Sequence, residues 1–434
     1  MPMIRRNIPL VLCFCGLAAL ALVGTARQST PATTGATEAP AGFKTPTLAG
    51  NPGSKSVSNG LPEPANDTFA LDQANFERRE GNDTGLGPIY NATACADCHQ
   101  NPVTGGVSQI TEVRAGHLDS NHNFVNPTIF INHGLNTITG RSIVNDRAIC
   151  PQAEEHLPAA ENIRALRAVL NTLGDGFVEA VDDQTLLDIA ARQAAQSNGM
   201  IQGEAVEVPI LEAQGQTRIG RFGWKDQHAS LLSFAADAYS NEVGISNRLK
   251  PADATTVCKT TKDPEDTAVQ TGLFGIDHFT QFIRATRVPP RDAALAGSPA
   301  VKNGEAVFAK IQCEVCHVDT MKTVPAGTMI NGGTFVVPDA LGNKVIHPYS
   351  DFLLHDVGTG DGIVQGGPQD TQQKLRTVPL WGLRTKTRLM HDLKSQSLEQ
   401  AILRHAGEAA GSSAQFRGLT PQERSDLLAF LNSL

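Results

Sequence analysis

Apolar residues near the carboxyl end of the chain recur at the spacing of an α-helix. Leu427, Leu428, Phe430 and Leu431 follow the segment Thr420-Pro421-Gln422-Glu423. That segment supplies an N-cap, a first-turn proline and a capping glutamate. The pattern predicts a well-defined terminal helix.

A second helical pattern lies directly before Cys313. Its apolar face contains Gly304, Val307, Phe308 and Ile311. The pattern predicts a helix that leads into a Cys-x-x-Cys-His sequence. We expect Phe308 of this helix and Phe430 of the terminal helix to be packed core residues.

The middle of the chain predicts further helices. Apolar residues have helical spacing over residues 163–174 and again over residues 186–199, and each stretch ends at a glycine suited to a helix C-cap. A further helix is predicted over residues 228–239.

Two other stretches alternate between apolar and polar residues. Residues 206–210 and 217–219 predict a hairpin that turns near Gln214-Gly215, and a smaller β excursion over residues 333–346 has its turn at residues 341–343. The predicted fold class is therefore mainly α, with small β-hairpin excursions.

The amino-terminal residues have the pattern of a secretory signal peptide. Arg5 and Arg6 precede an apolar run over residues 8–23, which ends at the small residues Gly24-Thr25-Ala26. The run is too short for a permanent membrane span, so we expect cleavage after Ala26, removal of residues 1–26 and a periplasmic mature protein. A lipoprotein acylated at Cys13 or Cys15 is the alternative.

The net charge of the chain limits the classes of molecule that it can bind. The chain carries a formal charge of −8, and loss of the two signal arginines makes it more negative. No cluster of Lys and Arg with interleaved aromatic residues is present. The composition therefore argues against nucleic acid and against anionic membrane surfaces as partners.

Two Cys-x-x-Cys-His sequences carry the strongest chemical signal. They are Cys95-Ala96-Asp97-Cys98-His99 and Cys313-Glu314-Val315-Cys316-His317. Two thiols at this spacing can reach the two vinyl groups of one porphyrin while the adjacent His binds the iron. We therefore predict two covalently bound c-type haems, with His99 and His317 as iron ligands. A zinc or redox Cys-x-x-Cys site is the alternative.

The distance between the two motifs predicts the domain organisation. Residues 27–67 are rich in Pro, Ala and Thr with few large apolar residues, which predicts a disordered leader. The remainder is long enough for two cores. We therefore predict a first haem domain over residues 68–295 and a second over residues 296–434.

Two cysteines remain after the signal peptide and the haem motifs are set aside. They are Cys150 and Cys258. An exported protein permits a disulfide between them, and two separate buried thiols are the alternative.

Several further motifs resemble those of a known family. The motifs are Gly-Leu-Gly-Pro-Ile-Tyr-Asn over residues 85–91, Gly-Arg-Phe-Gly-Trp-Lys over 220–225, Tyr-Ser-Asp-Phe-Leu-Leu-His-Asp over 349–356 and Pro-Leu-Trp-Gly-Leu-Arg over 379–384. They are similar to those of the di-haem oxidoreductases, which are relatives of bacterial di-haem cytochrome c peroxidases. The resemblance extends from residue 76 to residue 434. It implies two cytochrome c-like domains, in which the second haem receives electrons and the first has an open or displaceable face for peroxide or oxygen.

The resemblance also suggests the distal ligand of the second haem. The helix of residues 397–408 resembles the one that presents this ligand, which makes His405 the leading candidate. Met390 and His391 are competitors. The segment over residues 386–393 departs from the family pattern, and so does Val357, which stands where a Met is frequent.

For the first haem the resemblance suggests three residues. His117 follows the first motif at the distance of a displaceable distal ligand, although it could equally be an ordinary hydrogen-bonding residue. Trp224 corresponds to the aromatic residue between the haems, with a core Trp as the alternative. Glu242 corresponds to a carboxylate above the open iron that moves protons, with a solvated Glu as the alternative.

Three functions fit these observations. The first is a peroxidase that reduces hydrogen peroxide at the first haem with electrons received through the second. The others are a di-haem electron carrier and an oxidase or oxygenase that acts on an organic or protein substrate. The expected electron donor is a small protein of the cytochrome c or cupredoxin type. A calcium ion between the domains is a further candidate, and the sequence leaves the oligomeric state open.

Overall fold

The structure is a computed structural model that describes residues 35–43, 68–262 and 272–434. The predicted signal peptide lies outside the described residues, as does most of the predicted leader. Ala36–Leu434 forms one compact unit. Within the described residues, no helix has the length and apolar character that a membrane crossing requires.

Helix contributes more residues than strand. Numbered in chain order, the α-helices are α1 (Phe69–Glu77), α2 (Cys95–Cys98), α3 (Asp175–Glu179), α4 (Asp183–Gln196), α5 (Leu231–Ala238), α6 (Gly275–Ala285), α7 (Ala293–Ala296), α8 (Pro299–Lys310), α9 (Leu398–Leu403), α10 (Ala410–Arg417) and α11 (Pro421–Leu431).

The strands are short and form several small sheets. They are β1 (Thr37–Glu38), β2 (Ile89–Tyr90), β3 (Thr111–Leu118), β4 (Phe124–Val125), β5 (Ile129–Ile131), β6 (Asn136–Ile138), β7 (Ile143–Val144), β8 (Arg147–Ala148), β9 (Ile163–Ala168), β10 (Glu207–Pro209), β11 (Thr217–Ile219), β12 (Met321–Lys322), β13 (Met329–Ile330), β14 (Phe335–Val336), β15 (Lys344–Ile346), β16 (Leu354–His355) and β17 (Leu375–Arg376).

The terminal helix and the helix before Cys313 are confirmed, and they cross each other. Thr420 caps α11 together with Glu423 in a capping box. At the crossing, Gly304 of α8 lies against the backbone of α11, where an added Cβ would overlap the Asp426 carbonyl. The rings of Phe308 and Phe430 are 5.3 Å apart, so both are core residues as predicted.

The first half contains a similar pair of helices. Helix α1 packs on α6, and the ring of Phe76 lies 4.6 Å from that of Phe282. The largest hydrophobic cluster joins these residues to others from the second half, among them Leu341 and Phe352. The division into domains at residue 295 therefore stays a prediction.

The helix predicted over residues 163–174 is wrong. Residues Ile163–Ala168 form strand β9, which pairs antiparallel with β3 from Gly116↔Ile163 to Thr111↔Ala168. The backbone hydrogen bonds of this long pairing, together with the burial of Arg167, override the apolar spacing.

The other middle elements follow the sequence more closely. Helix α4 is confirmed, and β10 and β11 form the predicted antiparallel hairpin. The β excursion differs, because β14 pairs with β13 whereas β15 pairs with β12 and with β1. Since β1 belongs to the predicted leader, disorder is wrong for that short part of it.

The disulfide alternative for the two remaining cysteines is confirmed. Cys150 and Cys258 are bonded to each other and link positions 108 residues apart in the sequence.

Candidate functional site

The first Cys-x-x-Cys-His sequence lies in the wall of a cavity. Helix α2 carries Cys95 and Cys98, and His99 ends it. All three residues line this first cavity, together with Glu242. Phe76 of α1 places its ring 6.1 Å from the ring of His99.

The second Cys-x-x-Cys-His sequence has the same relationship to a second cavity. Cys313, Cys316 and His317 line it. Phe308 of α8 places its ring 6.1 Å from that of His317. In both sites, therefore, a helix that precedes the motif packs a phenylalanine against the motif histidine.

The four cysteines of the two motifs are half-buried. Burial raises the pKa of Cys95, Cys98 and Cys313 to about 12, and it also raises the pKa of Cys316. Zinc binding and thiol redox chemistry use the thiolate, which this environment disfavours.

The two motif imidazoles are oriented by backbone carbonyls. His99 Nδ1 lies 3.3 Å from the Gly106 oxygen and His317 Nδ1 lies 2.9 Å from the Tyr349 oxygen. Burial lowers the pKa of both rings to about 4, so both are neutral. A neutral ring that donates from Nδ1 keeps the lone pair of Nε2 for a metal.

His405 lines the second cavity with His317. Its Nδ1 lies 2.8 Å from the carbonyl oxygen of Ala401, one turn earlier in α9. Burial lowers the pKa of His405 as well, and the two histidines interact electrostatically. His405 therefore resembles the motif histidines in having its Nδ1 bound by a backbone carbonyl and its pKa lowered by burial.

The competitors Met390 and His391 line the second cavity too. Met390 has a left-handed backbone, with φ 69°. The ring of His391 lies 6.0 Å from that of Trp224, and its buried Nδ1 has no hydrogen-bond partner among the described residues. Neither side chain is oriented by a carbonyl as His405 is.

Glu242 faces the first cavity from an irregular helical turn. It lies in a π-helical segment, Tyr239–Val243, that continues α5. Its backbone carbonyl accepts hydrogen bonds from Asn91 N and Ala92 N, at 2.7 and 3.1 Å. Asn91 Nδ2 donates to Glu242 Oε2 at 2.7 Å. These bonds fix the carboxyl group beside the residues that lead into Cys95.

A second carboxyl group adjoins Glu242. Glu112 and Arg114 are two positions apart on β3 and line the first cavity. Glu112 is hydrogen-bonded to Glu242 and paired with Arg114, whose Nε and Nη2 donate to its two oxygens at 2.6 and 2.9 Å. Sequence reasoning missed both residues, although the alternation over residues 111–114 is a strand signal.

The two carboxyl groups hold different charges. Burial, and then the charge of Glu112, raise the pKa of Glu242 well above its usual value. Burial opposes ionisation of Glu112 too, but Arg114 holds the pKa of Glu112 below its usual value. Within the pair, the environment of Glu242 favours its protonated form and that of Glu112 favours its ionised form.

His117 lies outside the first cavity. It belongs to β3, and its Nδ1 pairs with Glu161 Oε2 at 2.7 Å. The cavity wall consists of other residues. The structure therefore favours the hydrogen-bonding alternative, and we do not retain His117 as an iron ligand.

Trp224 lines both cavities. Its Nε1 donates to the carbonyl oxygen of Ala168 at 2.8 Å, at the end of β9. Its own carbonyl oxygen accepts from Arg376 N at 2.9 Å. The indole is therefore fixed in the wall that the two cavities share.

His355 carries a charge beside the second motif. Its ring nitrogens lie 2.9 Å from Asp351 and 2.8 Å from Glu408. Although burial opposes protonation, these carboxylates hold the pKa of His355 well above its usual value. His355, Asp351 and Cys316 lie close together, but the ion pairs of His355 account for the cluster.

The residues of both cavities fit a haem by their donors. Each cavity combines two thiols, a neutral imidazole and a largely apolar wall. The second cavity has a volume of about 550 Å3, within the usual range for cofactor sites. The first has a volume of about 180 Å3.

Comparison with known proteins gives one family. The profile of the family described as "Di-haem oxidoreductase, putative peroxidase" matches residues 155–434, a span that begins after the first Cys-x-x-Cys-His sequence. No curated protein sequence matches the chain significantly.

Among the solved structures that match the chain, we describe two, and both are only distantly similar to it. The hydrazine synthase of Kuenenia stuttgartiensis is 14% identical, with 95% of this chain and 100% of that chain covered and a TM-score of 0.38. A MauG-like protein associated with microbial copper homeostasis is 18% identical, with 49% and 68% covered and a TM-score of 0.29. Both likenesses are too loose to support a conclusion about fold or function.

Proposed function

Because this chain belongs to the di-haem oxidoreductase family, we propose that it reduces hydrogen peroxide to water at a haem in the first cavity. Cys95 and Cys98 would attach that haem and His99 would bind its iron. The observation that carries the proposal is the pair of carboxyl groups, Glu242 and Glu112, which line this cavity together with the first Cys-x-x-Cys-His sequence. An electron carrier does not have to move protons to a substrate, so it does not need a pair of carboxyl groups beside one of its two haems.

The proposed chemistry needs protons to move between two oxygens. Peroxide, two electrons and two protons give two molecules of water. A haem iron with an open face supplies the centre at which the O–O bond breaks. The Glu242–Glu112 pair takes the proton from one peroxide oxygen, with Glu112 as the base, and returns it through Glu242 to the leaving oxygen.

Arg114 and Asn91 would keep this pair in place. Arg114 keeps Glu112 ionised, so the pair has a free position for the incoming proton. Asn91 holds one oxygen of Glu242 by its side-chain amide. Both partners orient the carboxyl groups without taking part in proton transfer themselves.

The second cavity would receive the electrons. Cys313 and Cys316 would attach the second haem, and His317 and His405 would bind its iron. Ligation by two imidazoles would suit this haem to electron transfer rather than to substrate binding. Trp224 would connect the two haems, and a small cytochrome c or cupredoxin would be the donor.

We also propose that the protein works after export. The disulfide between Cys150 and Cys258 supports this, because such bonds persist in oxidising compartments. The signal-peptide pattern of residues 1–26 agrees with it.

A turnover assay tests the proposed function. The purified holoprotein is mixed with a reduced small cytochrome c or cupredoxin, and donor oxidation is followed on addition of hydrogen peroxide. We expect peroxide-dependent oxidation in the native protein. An electron carrier would exchange electrons with the donor and show no dependence on peroxide, which would refute the proposal.

A further inference from the structure

The side chain of Lys225 ends in a cage of oxygen atoms. The residue is completely buried. Its Nζ donates at 3.0, 3.0 and 2.6 Å to the backbone carbonyl oxygens of Thr371, Gln372 and Lys374. The carboxylate of Asp361, also completely buried, lies 3.0 Å from the same nitrogen. Carbonyl and carboxylate oxygens are also the ligands of hard metal ions.

The charge of the cage suits a monovalent cation. Asp361 is its one carboxylate, and it already pairs with Arg167 at 2.7 Å. Burial lowers the pKa of Lys225 to about 8 while Asp361 acts in the opposite direction, so the amine is protonated at neutral pH. A divalent ion in place of the ammonium would add a positive charge to a buried site with no further carboxylate to balance it.

The cage joins the segments that hold Trp224. Lys225 directly follows the tryptophan and binds the loop before β17. Arg376 of β17 donates its N–H to the Trp224 carbonyl, and Ala168 accepts the indole N–H. Arg167, the partner of Asp361, directly precedes Ala168. One ammonium group thus connects the three segments around the indole.

The calcium ion suggested by the family resemblance has no evident site in the described ranges. There, the one group of His, Cys, Asp and Glu side chains that converges closely enough for a metal is Cys316, Asp351 and His355. Its histidine and thiol are poor ligands for calcium, which prefers oxygen.

We propose that Lys225 is the structural cation of this region, that its ammonium group takes the place of a metal ion, and that it positions Trp224 between the two cavities. The protein therefore needs no calcium there. The inference rests on that part of the proposed function in which Trp224 connects the two haems, and it does not depend on peroxide reduction, because a di-haem electron carrier would need Trp224 positioned just as a peroxidase would.

Calcium dependence tests the proposal on the full-length holoprotein without any variant. We expect a chelator such as EGTA, or added calcium chloride, to leave the unfolding midpoint and the haem absorption spectrum of the native protein unchanged. Loss of stability in EGTA that calcium restores would overturn the proposal. Peroxide takes no part in this experiment, so its outcome is separate from that of the turnover assay.

Variants test the positioning role. Lys225→Ala empties the cage, and we expect an unfolding midpoint lower by at least about 3 °C and slower electron transfer between the haems. Methylammonium ions should restore both in Lys225→Ala, whereas calcium should not, because the cage has no carboxylate to balance its second charge. Methylammonium should restore neither in Lys225→Met, whose side chain fills the cage without charge.

Lys310→Met is the matched control, because Lys310 pairs with Glu423 at the surface. It should retain the native midpoint and the native rate of electron transfer. A Lys225→Ala protein that matches this control in both measurements would overturn the proposal. So would a variant that is destabilised yet transfers electrons at the native rate, because Lys225 would then have no positioning role.

Discussion

Glu112 and Glu242 are hydrogen-bonded to each other in the wall of the first cavity, although 130 residues separate them in the sequence. Burial and the neighbouring charge keep Glu242 protonated, and Arg114 keeps Glu112 ionised. A buried acid beside its own base can accept and return a proton without help from water. This pair is the basis of the proposed reaction.

Replacement of Glu242 by Gln should abolish most peroxide turnover. The amide can still hydrogen-bond to Glu112 but cannot transfer a proton. We expect kcat/KM for peroxide to fall by about 10²–10⁴-fold, with both haems retained. Glu207→Gln, on exposed strand residue Glu207 of β10, is the control and should retain native kinetics. Unchanged turnover in Glu242→Gln would remove Glu242 from the reaction.

Replacement of Glu112 by Gln removes the proposed base, so we expect kcat/KM for peroxide to fall by about 10²–10⁴-fold. The alkaline limb of the pH profile of the remaining activity should also move. The active form of the pair holds one proton, so activity falls as pH rises through the raised pKa of Glu242. Without the negative charge of Glu112, the pKa of Glu242 decreases and that fall occurs at lower pH. Steady-state kcat/KM measured across pH tests this, and an alkaline limb at its native position would contradict the coupling.

Replacement of His405 by Met should raise the reduction potential of the second haem. A thioether stabilises ferrous iron, whereas imidazole favours ferric iron, so we expect an increase on the order of 100 mV. Spectroelectrochemical titration of the holoprotein measures it. Met390→Leu should leave both potentials unchanged. If Met390→Leu changes the potential of the second haem and His405→Met does not, Met390 is the iron ligand instead of His405.

Replacement of Trp224 by Leu should slow electron transfer between the haems. We expect at least a tenfold decrease, equivalent to about 1.4 kcal/mol in activation free energy. Rapid-mixing absorption spectroscopy of the half-reduced protein gives the rate. Trp381→Phe is the control, because Trp381 belongs to the hydrophobic core and lines neither cavity. Equal rates in the two variants would show that Trp224 is an ordinary core residue.

The sequence predicted the elements that have strong local signals. The capping box of α11 and the short alternating strands β10 and β11 need no distant partner to be recognised. Strand β9 was missed because apolar residues at 163, 166 and 170 suit a helix, and only the pairing with β3 decides for a strand. That pairing depends on contacts far apart in the sequence.

In the candidate site, too, the sequence predicted the residues that belong to recognisable local motifs. Each Cys-x-x-Cys-His sequence can be recognised as a haem attachment motif from five consecutive residues. Glu242, Trp224 and His405 were suggested by the family resemblance. Glu112 gave no such signal, since its environment comes from Arg114 and from a turn in another part of the chain. The cage of Lys225 consists mainly of backbone carbonyls. Every residue has a backbone carbonyl, so the sequence gives no sign of such a cage.

The most direct test is low-temperature electron paramagnetic resonance of the holoprotein, recorded fully oxidised and half-reduced, with and without hydrogen peroxide. The account predicts one low-spin haem with two imidazole ligands and one high-spin ferric haem, present from the start or after half-reduction, whose signal changes on addition of peroxide. Two low-spin haems in every state, both inert to peroxide, would contradict it and would make the protein an electron carrier.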